Sequence, residues 1–194
     1  MGRELEWKFS ADRATLDAAE REHPGGWRQI VMETRYLDTP QNAFAARRWT
    51  FRQRMENGRS VYCLKTPGSG DARGEWEWQG DDAAAAVEQL TAAGAPAELR
   101  QLTDGRDLRE VCGASFTRRC LTVALGKAQA EVALDDGVLR GGGKEAPLCE
   151  IEVEHKEGDE ETTRRFAETV ASTYGLTALT ASKFARANAL AKSL

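Results

Sequence analysis

Residues 3–9 alternate strictly, with Glu4, Glu6 and Lys8 on one face of an extended chain and Leu5, Trp7 and Phe9 on the other. This is the period of a β-strand, whose successive side chains point to opposite sides of a sheet. The pattern recurs along the chain. Arg48, Arg52 and Arg54 oppose Trp49, Phe51 and Met55, and Arg73, Glu75 and Glu77 oppose Trp76 and Trp78. Glu131 and Asp135 oppose Val132 and Leu134, and Glu150, Glu152 and Glu154 oppose Ile151 and Val153. Lys65 shares a face with Val61 and Cys63, opposite Tyr62 and Leu64.

An antiparallel sheet with one solvated face also alternates apolar and polar residues. Two features point beyond that. Glu and Lys are poor strand residues, and a merely wet face is better served by Thr, Ser or Gln. The charges also come in same-sign groups, Glu-x-Glu three times and Arg-x-Arg once, with neighbours about 7 Å apart. Like charges repel: a pair at about 4 Å costs on the order of 4 kcal/mol at an effective dielectric near 20. Divalent cations and a polyphosphate supply the missing counter-charge. Closing the sheet into a barrel turns the charged faces inward and sends Trp7, Phe51, Trp76, Trp78 and Ile151 outward beneath covering helices. Carboxylate oxygens in such a lumen suit Mg²⁺ or Mn²⁺, and Arg and Lys suit phosphate oxygens. That is the equipment of phosphoryl transfer.

The order of elements predicts an α+β chain built around an antiparallel sheet. Strands are expected at about 3–9, 28–38, 47–56, 60–66, 73–79, 114–125, 128–135 and 148–156. Helices are expected from Asp12 to about Glu22, from Ala83 to Ala93, and at about 159–174 and 182–192, with short helical turns in 94–113. Glu-Asn-Gly-Arg at residues 56–59 is a hairpin signal. The 194 residues, 41 % apolar, suit one domain spanning 1–194. Gly68-Ser-Gly-Asp and Gly141-Gly-Gly-Lys144 read as hairpin loops, because neither fits the G-x-x-x-x-G-K-[ST] pattern leading into a helix.

A formal net charge of −4 argues against a general nucleic-acid binder, so any polyanion must be met locally. No stretch approaches the roughly 20 apolar residues of a membrane span, and the start lacks a secretory apolar run. Cys63, Cys112, Cys120 and Cys149 show no C-x-x-C pairing or zinc-ligand spacing, and read as reduced thiols of a cytoplasmic protein.

Glu4-Leu5-Glu6-Trp7-Lys8 resembles the ExExK motif of the CYTH superfamily, the triphosphate tunnel metalloenzymes. The resemblance continues in order over nearly the whole chain: Tyr36-Leu-Asp38-Thr39-Pro, Arg52-x-Arg54, Lys65, Arg73-x-Glu75-x-Glu77, Arg118, Ala-Leu-Asp135-Asp-Gly, Glu150-x-Glu152-x-Glu154 and Ser182-Lys183. The run Glu131 to Gly137 with Cys149 to Glu154 is most similar to bacterial inorganic triphosphatases, in a version without their helical CHAD domain. Cys120-Leu121 stands where the family pattern is Trp-rich, so the resemblance assigns Arg119 no role.

The resemblance implies a closed eight-stranded tunnel that hydrolyses tripolyphosphate to pyrophosphate and phosphate with two Mg²⁺ or Mn²⁺ ions, in a monomer or homodimer. It implies that Lys8, Arg52, Arg54, Lys65, Arg73, Arg118 and Lys183 hold phosphates, the first four closest to the chemistry. Glu4, Glu6, Glu150 and Glu152 would hold the metals. Glu75, Glu77 and Asp135 follow as further ligands, with Glu131 and Glu154 as ligands, water orienters or partners of the basic residues. Other readings of the same residues are a thiamine- or nucleoside-triphosphatase, a class IV adenylyl cyclase, and a non-catalytic polyphosphate or nucleotide-binding module.

Overall fold

The computed structural model describes residues 2–68, 73–104 and 106–192, with the side chains of residues 2–4 and of Arg73 outside that description. The elements are β1 (Gly2–Glu4), β2 (Glu6–Ser10), α1 (Arg13–Glu22), β3 (Arg28–Asp38), α2 (Ala43–Ala46), β4 (Thr50–Glu56), β5 (Arg59–Pro67) and β6 (Arg73–Gln79). They continue as α3 (Ala83–Ala92), α4 (Glu98–Thr103), β7 (Arg109–Leu125), β8 (Ala128–Gly141), β9 (Lys144–Glu157), α5 (Glu160–Thr173), β10 (Thr177–Ala178) and α6 (Lys183–Lys192). The chain is therefore α+β. No helix among the described residues is long and apolar enough to cross a membrane.

The strands form one antiparallel sheet in the order β1-β6-β5-β4-β3-β7-β8-β9-β2-β10. This ten-strand series has two ends and so differs from the closed eight-stranded barrel expected. The difference arises at Leu5, where the expected strand over 3–9 breaks in two. Leu5 is buried at 7 % exposure, and its carbonyl accepts the His155 N–H at 2.9 Å. The residues before it pair with β6, and those after it pair with β9. One end strand, β1, and the last strand but one, β2, are thus successive stretches of one chain, and the short β10 adds on beyond β2.

Local chemistry sets the boundaries. Asp12, Asp82 and Asp159 each cap a helix by accepting the N–H of the residue three positions on, at 2.8, 2.7 and 2.8 Å. Asn57 and Gly58 take the two positive φ angles, 48° and 81°, that a tight hairpin between β4 and β5 requires. Gly142 and Gly143 do the same between β8 and β9, so the expected glycine loop is a hairpin turn. Among the described residues of 94–113, where helical turns are expected, only Glu98–Thr103 is helical, and residues 109–113 extend β7 by pairing with β3. Arg48, expected on a strand face with Arg52 and Arg54, sits at φ 59° in an exposed turn before β4 begins. Residues 69–71 of the other candidate loop lie outside the described residues.

Two apolar layers cover the outside of the sheet. Phe51, Tyr62, Leu64 and Trp76 pack under α2, α3 and α4 through Phe44, Leu90 and Leu99. Phe9, Val132, Leu134, Ile151 and Val153 pack under α1 and α5 through Leu16 and Ala167. Fully burying such a side chain contributes roughly 1.5–3 kcal/mol, so the aromatic and branched faces hold the helices on the outside. A third cluster lies on the opposite face: Ile30, Met32, Tyr36, Phe116, Leu139 and Leu148 meet Ala187 of α6, with Phe184 and Leu190 against them. Because α6 seats on this inner face, its first residue, Lys183, is delivered among the strand charges.

Candidate active site

The inner face encloses a cavity of ≈ 280 Å³ with walls from β2 to β9 and from α6. Lys8, Arg28, Arg52, Arg54, Lys65, Arg118, Lys156 and Lys183 line it with cations, and Glu6, Glu56, Glu75, Glu77, Glu131, Glu152 and Glu154 with carboxylates. The two sets nearly balance. A polyanion lying among these cations therefore needs additional positive charge to offset the glutamates.

Strand pairing explains the placement. Lys8 stands opposite Glu152, Arg118 opposite Asp135, Lys65 opposite Glu75, and Tyr36 opposite Arg52. Lys65 Nζ reaches its register partner Glu75 at Oε1, 3.4 Å away, and Arg52 Nη2 on β4 lies 3.7 Å from the same oxygen, while Lys8 Nζ turns along its own strand to Glu6 Oε1 at 2.8 Å. Arg54 Nη2 donates to Glu77 Oε1 at 3.0 Å and also pairs with Glu56, while its buried Nε has no hydrogen-bond partner among the described residues.

The deepest part is a knot of opposite charges. Arg118 donates Nε and Nη2 to the two oxygens of Asp135 at 2.8 and 2.7 Å and also bonds Glu152. Lys183 Nζ lies 2.7 Å from Asp135 Oδ2 and donates to Glu152 Oε1 at 2.8 Å and to Glu150. Arg186, one helical turn after Lys183, pairs with Glu150. The Phe116 ring lies under two of these cations, 5.8 Å from the Arg118 guanidinium carbon and 5.4 Å from Lys183 Nζ.

Burial and neighbours pull the acids apart. Burial acts to raise the Glu6 pKa, but Lys65, Lys8 and Lys183 outweigh it and hold the carboxyl at about 2. Burial likewise works against Asp135, and Arg118 and Lys183 win, leaving it at about 2. Glu75 is held below the usual carboxylate range by Lys65 and Arg52 against its burial. Glu152 goes the other way: burial, aided by the nearby charges of Glu6 and Asp135, pushes it up to about 7 against Arg118. Burial and the neighbouring Arg118 push Lys183 down to about 7 against Asp135.

The structure thus gathers Lys8, Arg52, Arg54, Lys65, Arg118, Lys183, Glu6, Glu75, Glu77 and Glu152 around one space. Two expected metal ligands, Asp135 and Glu150, are 0 % and 1 % exposed and are not among the residues that line the cavity; they pair with Arg118, Lys183 and Arg186 of β7 and α6. The side chains of Glu4 and Arg73 lie outside the described residues. Arg119 faces outward and ties β7 to α1 through Asp17 at 3.5 Å and Glu20.

Arg28, Glu56, Lys156 and Arg186 join the site beyond the expected set. Lys156 continues the even-numbered run of Glu150, Glu152 and Glu154, and Glu56 continues that of Arg52 and Arg54, so alternation carried to the strand ends finds both. Arg186 follows from the three-residue helical spacing to Lys183.

Hard oxygen donors for a divalent cation are present. Oxygens of Asp135, Glu150 and Glu152 lie within 4.8 Å of one another, and so do Cys63 Sγ and oxygens of Glu75 and Glu77. Cys63 is a poor ligand, since burial pushes its thiol up to about 12 and it donates to Glu75 Oε1 at 3.1 Å. Carboxylates alone remain, which suits Mg²⁺, Mn²⁺ or Ca²⁺ better than a thiophilic metal.

Comparison with known proteins agrees with this architecture. The CYTH domain family model matches residues 2–187. The fold is shared with PH1819 protein of Pyrococcus horikoshii OT3, at 20% identity and TM-score 0.62, covering 94% of this chain and 97% of that one. It is shared with a candidate adenylate cyclase of Bacillus halodurans, at 18% identity and TM-score 0.61, covering 94% and 96%. It is also shared with HpAC1 of Hippeastrum, described as revealing a dominant triphosphatase activity, at 15% identity and TM-score 0.64, covering 100% and 98%.

Proposed function

Because the chain belongs to the CYTH domain family, we propose that it hydrolyses inorganic triphosphate to pyrophosphate and phosphate, using divalent cations held in the cavity. One observation carries this reading. Glu6, Glu154 and Glu131 stand in a row of directly opposed glutamates on β2, β9 and β8, in the same cavity as eight basic side chains. A cation between the acids and an anion among the bases satisfy both halves at once.

The lumen becomes a tunnel when the segment Gly2–Ser10, which reaches β6 with one half and β9 with the other, serves as the eighth wall strand. Lys8, Arg52, Arg54, Lys65, Arg118 and Lys183 hold the phosphate oxygens, with Arg73 at the end of β6. Arginine forks match two oxygens each, and lysines supply point charges. Glu6 and Glu152, with Glu4, would hold one Mg²⁺ or Mn²⁺, and Glu75 and Glu77 or Glu131 and Glu154 the other. The metals, when bound, neutralise the phosphate chain and lower the pKa of the attacking water. The chain's own task is to keep the chain of phosphates extended between opposite walls while a water oxygen bonds to a terminal phosphorus and the bridging P–O bond breaks. HpAC1's described activity points the same way.

The test is phosphate release from tripolyphosphate, thiamine triphosphate and ATP with Mg²⁺ or Mn²⁺. Tripolyphosphate is expected to turn over fastest, and excess EDTA to abolish release. Undiminished release in EDTA, or preference for either organic triphosphate, overturns this reading.

A further inference from the structure

We propose that Asp135 is a positioning residue: from behind the cavity wall it fixes Arg118 and Lys183 in the attitude that receives phosphate, and it binds no metal. The inference rests on the cavity being a phosphate site, as argued above.

Asp135 is fully buried. Both of its oxygens are taken by the Arg118 fork at 2.8 and 2.7 Å, and the second also lies 2.7 Å from Lys183 Nζ. Its cross-strand neighbours are Arg118 on β7 and Glu150 on β9. One carboxylate therefore joins two cations carried by different elements, a strand and the start of α6. A bidentate pair fixes the plane of a guanidinium as well as its position. Lys183, on a flexible four-carbon stem, has no such internal constraint and depends on its partners. Glu152 is different: it lines the cavity while touching the same two cations.

A metal-ligand role and a positioning role predict opposite signs. Removing a negative charge close to a bound polyanion strengthens its binding by Coulomb's law alone. Removing the group that aims two of its cationic donors weakens binding despite the favourable charge change.

Calorimetry with tripolyphosphate in EDTA separates them, together with a Mn²⁺ titration without phosphate. Asp135→Asn is expected to weaken metal-free tripolyphosphate binding about tenfold, the scale of a lost charge-assisted contact, and to leave Mn²⁺ affinity unchanged. Equal or tighter tripolyphosphate binding, or a loss of Mn²⁺ affinity like that of Glu6→Gln, overturns the proposal. Asp135→Glu keeps the charge and displaces it by one methylene. If Asp135→Asn does not fold, weaker tripolyphosphate binding by Asp135→Glu supports positioning and unchanged binding refutes it. Absence of tripolyphosphate binding by the wild-type protein, with and without metal, refutes the phosphate-site reading itself.

Discussion

Glu6 of β2 stands directly across from Glu154 of β9, and Glu154 across from Glu131 of β8. Like charges at directly opposed positions destabilise a sheet. Lys8 reaches Glu6 at 2.8 Å, Lys156 reaches Glu154 at 2.8 Å, and Arg28 lies 3.4 Å from Glu131. These partners are themselves the cations that a polyphosphate would draw on, so the row stays under-compensated when substrate binds without metal.

The row therefore predicts a thermal signature. Mg²⁺ with tripolyphosphate should raise the melting temperature well above that of the metal-free protein, since the ligands bind only the folded state. Glu154→Gln should melt slightly higher than wild type in EDTA and gain less from added metal. Differential scanning fluorimetry measures both. A variant less stable in EDTA with an unchanged metal gain would show that the row is not repulsive.

The buried ionisable groups give a pH signature in EDTA. Glu152 is pushed up to about 7 from 4.5, so between these values the folded state binds the extra proton and stability falls as pH rises. Lys183 is pushed down to about 7 from 10.5, so above 7 the unfolded state binds the extra proton and stability rises with pH. Stability should pass through a minimum near neutrality, lower than at pH 5 or 9. Glu152→Gln should flatten the acidic limb. Denaturant midpoints across this range test it, and a maximum at pH 7 contradicts it.

Calcium supplies a third expectation. It takes six to eight oxygens at longer distances than Mg²⁺, which demands near-octahedral geometry. It should occupy the glutamates and inhibit in competition with Mg²⁺. Full phosphate release with Ca²⁺ as sole metal would contradict this.

Much of this site was legible from alternation, because charge on one strand face survives whatever the sheet does globally. Lys8, Arg52, Arg54, Lys65 and Glu152 reach one cavity because each keeps the inward parity of its strand. What alternation cannot report is depth along a strand. Asp135 and Glu150 share parity with Glu131 and Glu152, yet α6 seats over that end and turns them into partners of Lys183 and Arg186. The break at Leu5 was equally hidden, since its apolar side chain fits the strand pattern, and the chain's change of partner there, from β6 to β9, shows only in the sheet pairing. The left-handed turn at Arg48 follows the short helix α2, where the Arg48 N–H bonds the Ala45 carbonyl at 2.9 Å, and left no mark in the periodicity.

The two halves of the site separate by comparing Glu6→Gln with Arg54→Ala. Both residues line the cavity on charged faces, away from the outer apolar layers that hold the helices, so both variants should fold. Glu6, held ionised at about 2, is a permanent anion and a hard ligand. Its amide keeps the shape but loses the charge, so half-maximal activity should require more metal, and added Mn²⁺ should restore part of the rate. Arg54 points a fork toward Glu56 and Glu77, with a buried Nε that no group among the described residues accepts. Phosphate oxygens can satisfy it, and losing such a charge-assisted contact is worth roughly 1.5–3 kcal/mol, or about tenfold to a hundredfold in kcat/KM. Added metal should not rescue Arg54→Ala. Steady-state kinetics over a matrix of metal and tripolyphosphate concentrations decides it: an identical response of both variants to metal would dissolve the division into ligands and clamps, and wild-type kinetics in both would reduce these faces to solvated surface.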